Sequence, residues 1–405
     1  MPFSLSAVEA TERLGVTRAT LYAYVSRGLV RSEAGQGKTR ARRYSAEDID
    51  ALVRRRDGRR DPEKVVRGAL TWGAPVLESA LTLITDGRLY YRGHDAVSLA
   101  ESRTLEDVAG LLWTGTLRPI PVPLRAHLAL TPLRAEDSVL EGFAHALIHA
   151  GARDLQARDA RPEALPANAA RVLSLLFAVN ERVHGIPAAP DLTLHERLGR
   201  TWGTSPLQTD LLRRALVLLA DHELNVSSFT ARCVASSGAG MHHAVLGGVC
   251  ALQGVRHGLS TELAYELLEL AAQQGAARAL SSVMRRARYL PGFGHVLYPE
   301  GDPRARALLE FMTSTCPDVP ALSAAQALCE EVRREVGEHP NIDLALALVV
   351  SVLGGPIERG LILFALGRTV GWLGHAIESS AQGRLIRPRA KYVGPVPIGK
   401  TPPGE

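Results

Sequence analysis

The spacing of apolar residues constrains the fold of this chain more than any other feature of its sequence. Between residues 139 and 378 apolar side chains recur every three or four residues, which places them on one face of an α-helix. The pattern predicts helices over residues 139–150, 171–183, 207–219, 261–274, 322–336 and 361–378. Asp86-Gly87 predicts a hairpin turn within residues 82–91, and the Ala/Pro-rich residues 157–170 predict a surface loop. The body is therefore expected to be predominantly α-helical.

Composition places the chain among ordinary globular proteins. It has 405 residues, of which 46% are apolar and 22% are charged. No apolar run reaches the roughly 18 to 20 residues that span a bilayer, and the N-terminus lacks the pattern of a signal peptide. We therefore expect a cytoplasmic protein that does not contact a membrane.

The basic character of the chain is concentrated at its N-terminus. Residues 1–60 contain 13 Lys and Arg against 7 Asp and Glu, a net charge of +6, so the rest of the chain carries 5 − 6 = −1. Ser6-Ala-Val-Glu9 is a capping box that opens a short helix, Gly15 ends it, and Thr17 caps a second helix that runs to about residue 27. Two short helices across a tight turn predict a helix-turn-helix.

A basic stretch, residues 35–44, comes after this pair of helices and is typical of a wing. The order of helix-turn-helix, wing and a further capped helix resembles the N-terminal domain of MerR-family regulators. The resemblance implies that residues 1–61 bind DNA; the alternative is a basic extension that packs on the body or mediates assembly. The charged run at residues 54–61, followed by Pro62, predicts a domain boundary near residue 62. The candidate DNA contacts are Arg18, Thr20, Tyr24, Arg27 and Arg43.

The loop at residues 291–304 carries a histidine and an arginine among loop-forming residues. Gly292 and Gly294 permit backbone shapes that other residues avoid, and Pro299 and Pro303 stiffen the second half of the loop. His295 is a short proton donor, and the planar guanidinium at residue 304 suits a carboxylate. The loop therefore predicts an anionic substrate.

Possible metal ligands are sparse. His145 and His149 lie one helical turn apart, the spacing of two zinc ligands, but no third ligand is apparent. His242-His243 is an adjacent pair that does not share a helix face, and the four cysteines show no CxxC spacing. We expect no metal site and mostly buried, reduced cysteines.

Six motifs occur in succession in the second half of the chain. They are Asp221-His-Glu-Leu-Asn-Val-Ser227, Gly254-Val-Arg-His-Gly258, the 291–304 loop, Pro340-Asn-Ile-Asp343, Gly367-Arg-Thr-Val-Gly-Trp372 and Arg387-Pro-Arg389. In this order they resemble the successive signatures of citrate synthase, over roughly residues 66–405. The resemblance implies an all-α, two-domain citrate synthase-like fold, preceded here by the small winged helix-turn-helix domain. The large domain would comprise residues 66–221 and 336–405, and the small domain residues 222–335.

The resemblance also implies roles for individual residues. Asp343 corresponds to the base that removes a proton from the acyl thioester, His257 to the donor that stabilises the enol, and His295 to the group that polarises the carbonyl of oxaloacetate. The carboxylates of oxaloacetate would be bound by His222, Arg304, Arg368 and Arg387, and CoA by Pro291, Gly292, Phe293 and Gly294. In the family the last arginine comes from the other subunit, which implies a homodimer with shared active sites. Acetyl-CoA is then a substrate, and no cofactor is expected.

The chain departs from the family at two places. After His257 the usual Gly-Gly-Ala-Asn-Glu is Gly258-Leu-Ser-Thr-Glu262, with Arg256 in place of a small apolar residue. After His295 the usual Arg-Val-Tyr-Lys is Val296-Leu-Tyr-Pro299, so two basic residues suited to phosphates are missing.

Three functions are compatible with these motifs. The first is condensation of acetyl-CoA with oxaloacetate to give citrate and CoA. The second is 2-methylcitrate synthesis from propionyl-CoA. The third is a non-catalytic, DNA-binding regulator that senses acyl-CoA or a dicarboxylate, which the altered loops and the N-terminal domain favour.

Overall fold

The computed structural model describes residues 4–34, 42–46, 48–49, 52–53, 77–123, 138–189, 191–255, 257–285, 289–390 and 392–395. Contacts divide the chain into two units, Met1–Glu78 and Ser79–Glu405. The predicted boundary at Pro62, the tip of the predicted wing and Arg256 lie outside the described residues.

The first unit is a helix pair beside a small antiparallel sheet. Its elements are β1 (Ser4–Leu5), α1 (Ala7–Leu14), α2 (Arg18–Ser26), β2 (Ser32–Ala34) and β3 (Arg42–Ser45), with strand order β1-β3-β2. Both predicted caps are present: Ser6 and Glu9 form a capping box on α1, and the Thr17 hydroxyl accepts from the Thr20 backbone N–H. A core of six buried residues holds the unit together, namely Ala10, Leu14, Leu21, Val30, Tyr44 and Ile49. The helix-turn-helix prediction is confirmed.

The second unit begins with a three-stranded sheet and continues as helices. The sheet has the order β4-β5-β6, from β4 (Thr82–Thr85), β5 (Arg88–Tyr91) and β6 (His94–Asp95), and the first two strands pair around Asp86-Gly87 as predicted. The helices are α3 (Ala96–Ser102), α4 (Leu105–Thr114), α5 (Val139–Arg153), α6 (Leu165–Val183), α7 (Leu194–Trp202), α8 (Pro206–Leu219), α9 (Val226–Ser236), α10 (Met241–Leu252), α11 (Ser260–Gln274), α12 (Ala276–Met284), α13 (Pro303–Thr315), α14 (Pro320–Glu335), α15 (Ile342–Leu353) and α16 (Glu358–Gln382).

Helix α16 forms the centre of the main core. It packs against α4, α6, α8, α9 and α10, and its residues from Gly360 to Ala376 are buried. Within the described part of the chain it is the one helix long and apolar enough to cross a membrane, but 94% of its apolar window is buried inside the protein. Its hydrophobicity is therefore explained by helix packing.

A second, separate hydrophobic cluster lies around α11, α12 and α14. Its members are Leu267, Ala271, Ala279, Leu280, Phe293, Leu328, Val332 and Leu344. All of these residues except Leu344 of α15 fall in the predicted small domain.

Two structural expectations from the sequence are wrong. Residues 157–170 are not a single surface loop, because α6 begins at Leu165 and buries Leu165, Ala169 and Ala170. Proline fits the first turn of a helix, so an Ala/Pro-rich sequence does not exclude one. The cysteines are less buried than expected: Cys250 is exposed and the other three are half-buried.

Candidate active site

Main-chain hydrogen bonds fix the 291–304 loop to the N-terminus of α15. The Gly294 N–H donates to the His339 carbonyl over 2.8 Å, and the Asn341 N–H donates to the Gly292 carbonyl over 2.9 Å. The Asn341 side chain adds a third bond, from Nδ2 to the Gly294 carbonyl at 3.0 Å. Gly292 and Gly294 have φ values of 81° and 74°, which only glycine adopts without strain. This arrangement joins the loop that carries His295 to the helix that carries Asp343.

The Asp343 carboxylate is held from α11. Ser260 Oγ donates to its Oδ2, and Thr261 Oγ1 donates to its Oδ1 over 2.9 Å. The Asp343 backbone N–H is capped by the Asn341 side chain over 3.0 Å. Burial raises the pKa of Asp343, while the two hydroxyl donors oppose that rise. A carboxylate with a raised pKa is suited to accept a proton from carbon.

His257 lies in the turn before α11 and contacts α9 and α16. Its Nε2 is 2.8 Å from Ser227 Oγ, which also accepts from Trp372 Nε1 over 3.1 Å. The Phe364 ring packs edge-on against the imidazole, with centroids 5.6 Å apart. Burial, with the charge of Arg368, lowers the pKa of His257 to about 4, so the ring is neutral at pH 7. The single hydrogen of the Ser227 hydroxyl has two acceptors, His257 Nε2 and Asn225 Oδ1, the second at 2.9 Å. When it is donated to Nε2, the ring proton of His257 sits on Nδ1 and can be donated to a substrate oxygen.

His222, His295 and Tyr298 form an aromatic cluster. The His222 and His295 ring centroids are 5.2 Å apart, and His222 Nε2 is 3.0 Å from the buried Tyr298 hydroxyl. The Leu297 N–H donates to His295 Nδ1 over 3.1 Å, so the proton of the neutral ring lies on Nε2. Burial, with the charge of Arg304, lowers the pKa of His295 to about 4. His295 is therefore a neutral donor through Nε2, which is the form that polarises a carbonyl.

Two of the predicted arginines are buried, and they differ in their partners. Arg304 forms a bidentate ion pair with Asp302, with Nη2–Oδ2 at 2.7 Å and Nε–Oδ1 at 3.0 Å. Arg368 is 1% exposed and donates from Nε to the Leu219 carbonyl, but its Nη1 and Nη2 donate to no group in the described part of the chain. Burial lowers the pKa of Arg368 to about 10, which still leaves it charged at pH 7. A buried cation with two unused donors matches the two oxygens of a carboxylate.

The fourth predicted carboxylate ligand lies elsewhere. Arg387 is exposed on the segment after α16, and the preceding residue, Ile386, donates its N–H to Ser236 Oγ at the end of α9 over 3.1 Å. The structure does not bring Arg387 into the site of its own chain, so its role across a dimer stays a prediction.

The predicted CoA contacts are largely internal to the loop. Pro291, Gly292 and Phe293 are buried, and Gly294 is half-buried. Among the residues that the structure describes, no three His, Cys, Asp or Glu side chains converge in the way a metal ion requires.

In the helix-turn-helix unit the predicted DNA contacts divide into two groups. Arg18, Arg27 and Arg43 are exposed. Thr20 is half-buried with its hydroxyl 3.0 Å from that of Thr17, and Tyr24 packs partly against the core of the unit. The exposed aromatic residue of α2 is Tyr22, which the sequence patterns did not single out. It lines a groove with Ser6, Ala7, Val25, Ser26, Arg42, Arg43 and Tyr44.

Several side chains in the active-site cluster were not predicted from the sequence. They are Ser227, Ser260, Thr261, Tyr298 and Asp302. Each is adjacent to a predicted residue or lies in the same motif, which is the one signal that could have found them. Their role depends on contacts between distant segments, and motif spacing does not report those contacts.

Comparison with known proteins agrees with this geometry. Residues 69–389 match the family described as "Citrate synthase, C-terminal domain", and residues 5–56 match "MerR HTH family regulatory protein". "Citrate synthase 2" of Bacillus subtilis is 29% identical over 352 residues, which cover 80% of this chain and 95% of that protein. "Citrate/2-methylcitrate synthase" of the same organism is 30% identical over 341 residues, covering 76% of this chain and 91% of that protein.

The fold agrees as well. The crystal structure of citrate synthase from Thermotoga maritima superimposes with a TM-score of 0.70 at 28% identity, over 82% of this chain and 96% of the other. The family match spans most of the chain and includes all six motifs of the candidate site. The chain therefore belongs to the citrate synthase family, with a MerR-like helix-turn-helix domain at its N-terminus.

Proposed function

We propose that this citrate synthase family enzyme condenses acetyl-CoA with oxaloacetate to give citrate and CoA. The observation that carries the proposal is the buried fork of Arg368, whose Nη1 and Nη2 donate to no described group and whose charge acts on the neutral His257 and His222. A guanidinium in the core with two unused donors is costly unless an anion binds to it. Oxaloacetate supplies carboxylates for this purpose.

The reaction follows from the positions of the donors and the base. Asp343 removes a proton from the methyl group of the thioester, and His257 donates a hydrogen bond to the enolate oxygen. His295 polarises the ketone of oxaloacetate through its Nε2–H, and the enol carbon attacks that ketone to form the new C–C bond. Water then hydrolyses the citryl thioester and releases CoA. The histidine donors meet the developing negative charge, so we propose that no cofactor or metal takes part.

Substrate binding is assigned by the same logic. Arg368 and Arg304, with His222, bind the dicarboxylate, and the main chain at Pro291–Gly294 lies along the thioester arm of CoA. We propose that Arg387 reaches the site of the second subunit in a homodimer. The small domain, residues 222–335, then closes over residues 66–221 and 336–405. The separate cluster around α11, α12 and α14 supports a distinct body there, while α9 and α10 pack in the main core.

A 2-methylcitrate synthase is the second candidate. One relative at 30% identity is named for both citrate and 2-methylcitrate synthesis. The choice between acetyl and propionyl chains depends on the space around the thioester methyl group.

We also propose that residues 1–61 bind duplex DNA and that the protein acts in the cytoplasm. The family match of residues 5–56 and the exposed Arg18, Arg27 and Arg43 support DNA binding. A non-catalytic regulator that senses a dicarboxylate would share this domain and retain Arg368, so the chemistry must be tested directly.

A thiol-release assay tests the proposed function. The purified protein is mixed with oxaloacetate and, in turn, acetyl-, propionyl- and butyryl-CoA, and free CoA is followed with a thiol reagent. We expect the highest kcat/KM with acetyl-CoA. A clear preference for propionyl-CoA would establish the 2-methylcitrate activity instead. If no acyl-CoA gives thiol release but oxaloacetate binds saturably, the protein is a dicarboxylate sensor and the proposed enzymatic function is wrong.

A further inference from the structure

Two hydroxyl groups hold the carboxylate of the candidate base from both sides. Ser260 and Thr261 are the first two residues of α11; Ser260 Oγ donates to Asp343 Oδ2, and Thr261 Oγ1 donates to Oδ1 over 2.9 Å. Each carboxylate oxygen has two lone-pair positions, so one remains on each oxygen to accept a proton. The two hydrogen bonds therefore restrict rotation of the carboxylate but leave a lone pair on each oxygen to accept a proton.

The same short segment carries His257. The Ser260 N–H donates to the His257 carbonyl over 3.0 Å, and the Gly258 N–H donates to the Leu252 carbonyl over 2.9 Å. A side chain at position 258 would bring its Cβ to 2.5 Å from that carbonyl oxygen, so the turn has little room to shift. Ser260 therefore connects the base to the enol donor. Its side chain bonds to Asp343, and its backbone N–H bonds to His257 within the same turn.

Packing fixes the second hydroxyl as firmly. Thr261 is 1% exposed, and a Cβ placed on Gly360 of α16 would lie 2.9 Å from its methyl carbon Cγ2. The charged groups near Asp343 are Arg304 on α13 and Asp302 at the start of that helix, and these two are paired with each other. The hydrogen bonds that reach the Asp343 carboxylate among the described residues come from Ser260 and Thr261.

We propose that Ser260 and Thr261 are positioning residues of the condensation, holding both oxygens of Asp343 so that the base and the His257 donor keep a fixed separation around the thioester methyl group. The proposal rests on the proposed function, in which Asp343 is the base. Both residues lie in the run 258–262 that differs from the usual family sequence, where alanine and asparagine occupy these two positions. This chain has therefore built a hydroxyl pair that the usual residues do not offer.

Hydroxyl donors also affect the strength of the base. A hydrogen bond to the charged form favours ionisation, so each hydroxyl opposes the effect of burial on Asp343. Removing a donor raises the pKa of Asp343. In the pH profile of kcat/KM, activity is lost at low pH because the base becomes protonated. In such a variant this loss begins at a higher pH.

Kinetics of hydroxyl-deletion variants test the proposal in the full-length protein. Ser260→Ala and Thr261→Val remove one donor each with little change of volume, and Thr261→Ser keeps its donor. Thr201→Val is the matched control, because Thr201 is a buried threonine of α7 whose hydroxyl donates to the Arg197 carbonyl over 2.8 Å and to no other described group. We expect kcat to fall about 10- to 100-fold in each deletion variant, since hydrogen bonds to charged groups contribute that much. KM for oxaloacetate should stay within about threefold, Thr261→Ser should lose less kcat than Thr261→Val because it keeps the donor, and Thr201→Val should behave as wild type.

A second readout does not need turnover. The protein is labelled with ¹³C at aspartate carboxylates, and the Asp343 signal is assigned by its loss in Asp343→Asn. We expect its titration midpoint to rise in Ser260→Ala and Thr261→Val and to stay unchanged in Thr201→Val. A folded double variant with wild-type kcat and an unchanged titration midpoint would overturn the proposal. If wild type itself releases no CoA, the proposed function fails and the role in condensation fails with it. The titration then tests only whether the two hydroxyl groups hold the Asp343 carboxylate: a raised midpoint supports this contact, and an unchanged one overturns it.

Discussion

Arg368 lies in the core with two guanidinium nitrogens that donate to no described group, and such a cation destabilises the ligand-free protein. Arg368→Met keeps the length and apolar packing of the side chain but removes its charge. We expect the free energy of unfolding without ligand to rise by roughly 1 to 3 kcal/mol. At the same time the stabilisation that oxaloacetate gives to wild type should disappear, because a ligand stabilises only through its binding to the folded state. Thermal unfolding with and without oxaloacetate measures both effects.

Arg197 is the matched control for this substitution. It is equally buried, but it forms a bidentate ion pair with Glu181, with both N–O distances at 2.7 Å. Arg197→Met should therefore lower the free energy of unfolding by about 3 to 5 kcal/mol, since it leaves Glu181 buried without a partner. Loss of stability in both variants would indicate that Arg368 serves packing rather than an anion.

His242 makes the stability of the protein depend on pH. Burial lowers the pKa of His242 to about 4, although Asp154 lies 4.0 Å away. The unfolded chain binds a proton below its ordinary pKa of about 6.5, and the folded chain does so only near pH 4, so stability falls as pH drops through this range. Each such histidine contributes a slope of about 1.4 kcal/mol per pH unit.

Urea unfolding at pH 7, 6 and 5 measures this slope for wild type and His242→Gln. We expect the variant to lose less stability on acidification than wild type, whatever its stability at pH 7. Equal slopes in wild type and His242→Gln would contradict the assignment.

At the scale of elements, α2 and β3 present the basic surface of the first unit. Arg18 begins α2 and Arg43 lies in β3, and both side chains are exposed. Contacts with phosphates release counterions, so we expect binding of duplex DNA to weaken steeply as salt rises. Arg18→Ala and Arg43→Ala should each weaken binding and reduce the slope of the logarithm of affinity against the logarithm of salt by about 1.

Fluorescence anisotropy with a labelled duplex measures this slope. The salt concentration is varied from about 50 to 300 mM, which brackets the physiological value. Arg334→Ala on α14 makes the same change of charge at an exposed site in the second unit and should leave binding as in wild type. Binding that is absent, or insensitive to salt and to both substitutions, would point to an assembly role for the helix-turn-helix unit.

Eight of the sixteen helices in the described part of the chain were predicted from the sequence, because apolar spacing and capping residues act locally. The start of α6 at Leu165 was missed, since alanine and proline suit both a loop and a first helical turn. The site was predicted less completely. The motifs locate Asp343, but its bonds from Ser260 and Thr261 join residues more than eighty positions apart, and the pairing of Arg304 with Asp302 depends on a local turn. The first kind of contact is set by tertiary packing, and the second by local backbone geometry.

At the scale of the whole molecule, the proposed homodimer would complete each active site. Arg387 is exposed after α16, whereas Asp343 is half-buried and Arg368 is buried. If Arg387 is contributed by the second subunit, chains with Arg387→Ala and Asp343→Asn should complement each other on mixing. A mixed dimer then holds one site with both residues intact and one site with neither.

Thiol release after mixing and subunit exchange measures the recovery. We expect statistical mixing to restore about one quarter of wild-type activity, because half of the dimers are mixed and each has one intact site. Exchange is verified with two differently tagged chains. No recovery among verified mixed dimers would place every site residue on a single chain.

The proposed condensation requires that Asp343 removes a proton from carbon in an active site that also binds oxaloacetate. Asp343→Asn keeps the shape of the side chain and its capacity for hydrogen bonds but removes the base. We would measure thiol release with acetyl-CoA and the Kd for oxaloacetate by calorimetry, in wild type and in this variant. We expect kcat to fall by about 100- to 10,000-fold while Kd changes by less than about threefold. Equal thiol release by the two proteins would contradict the assignment of Asp343 as the base.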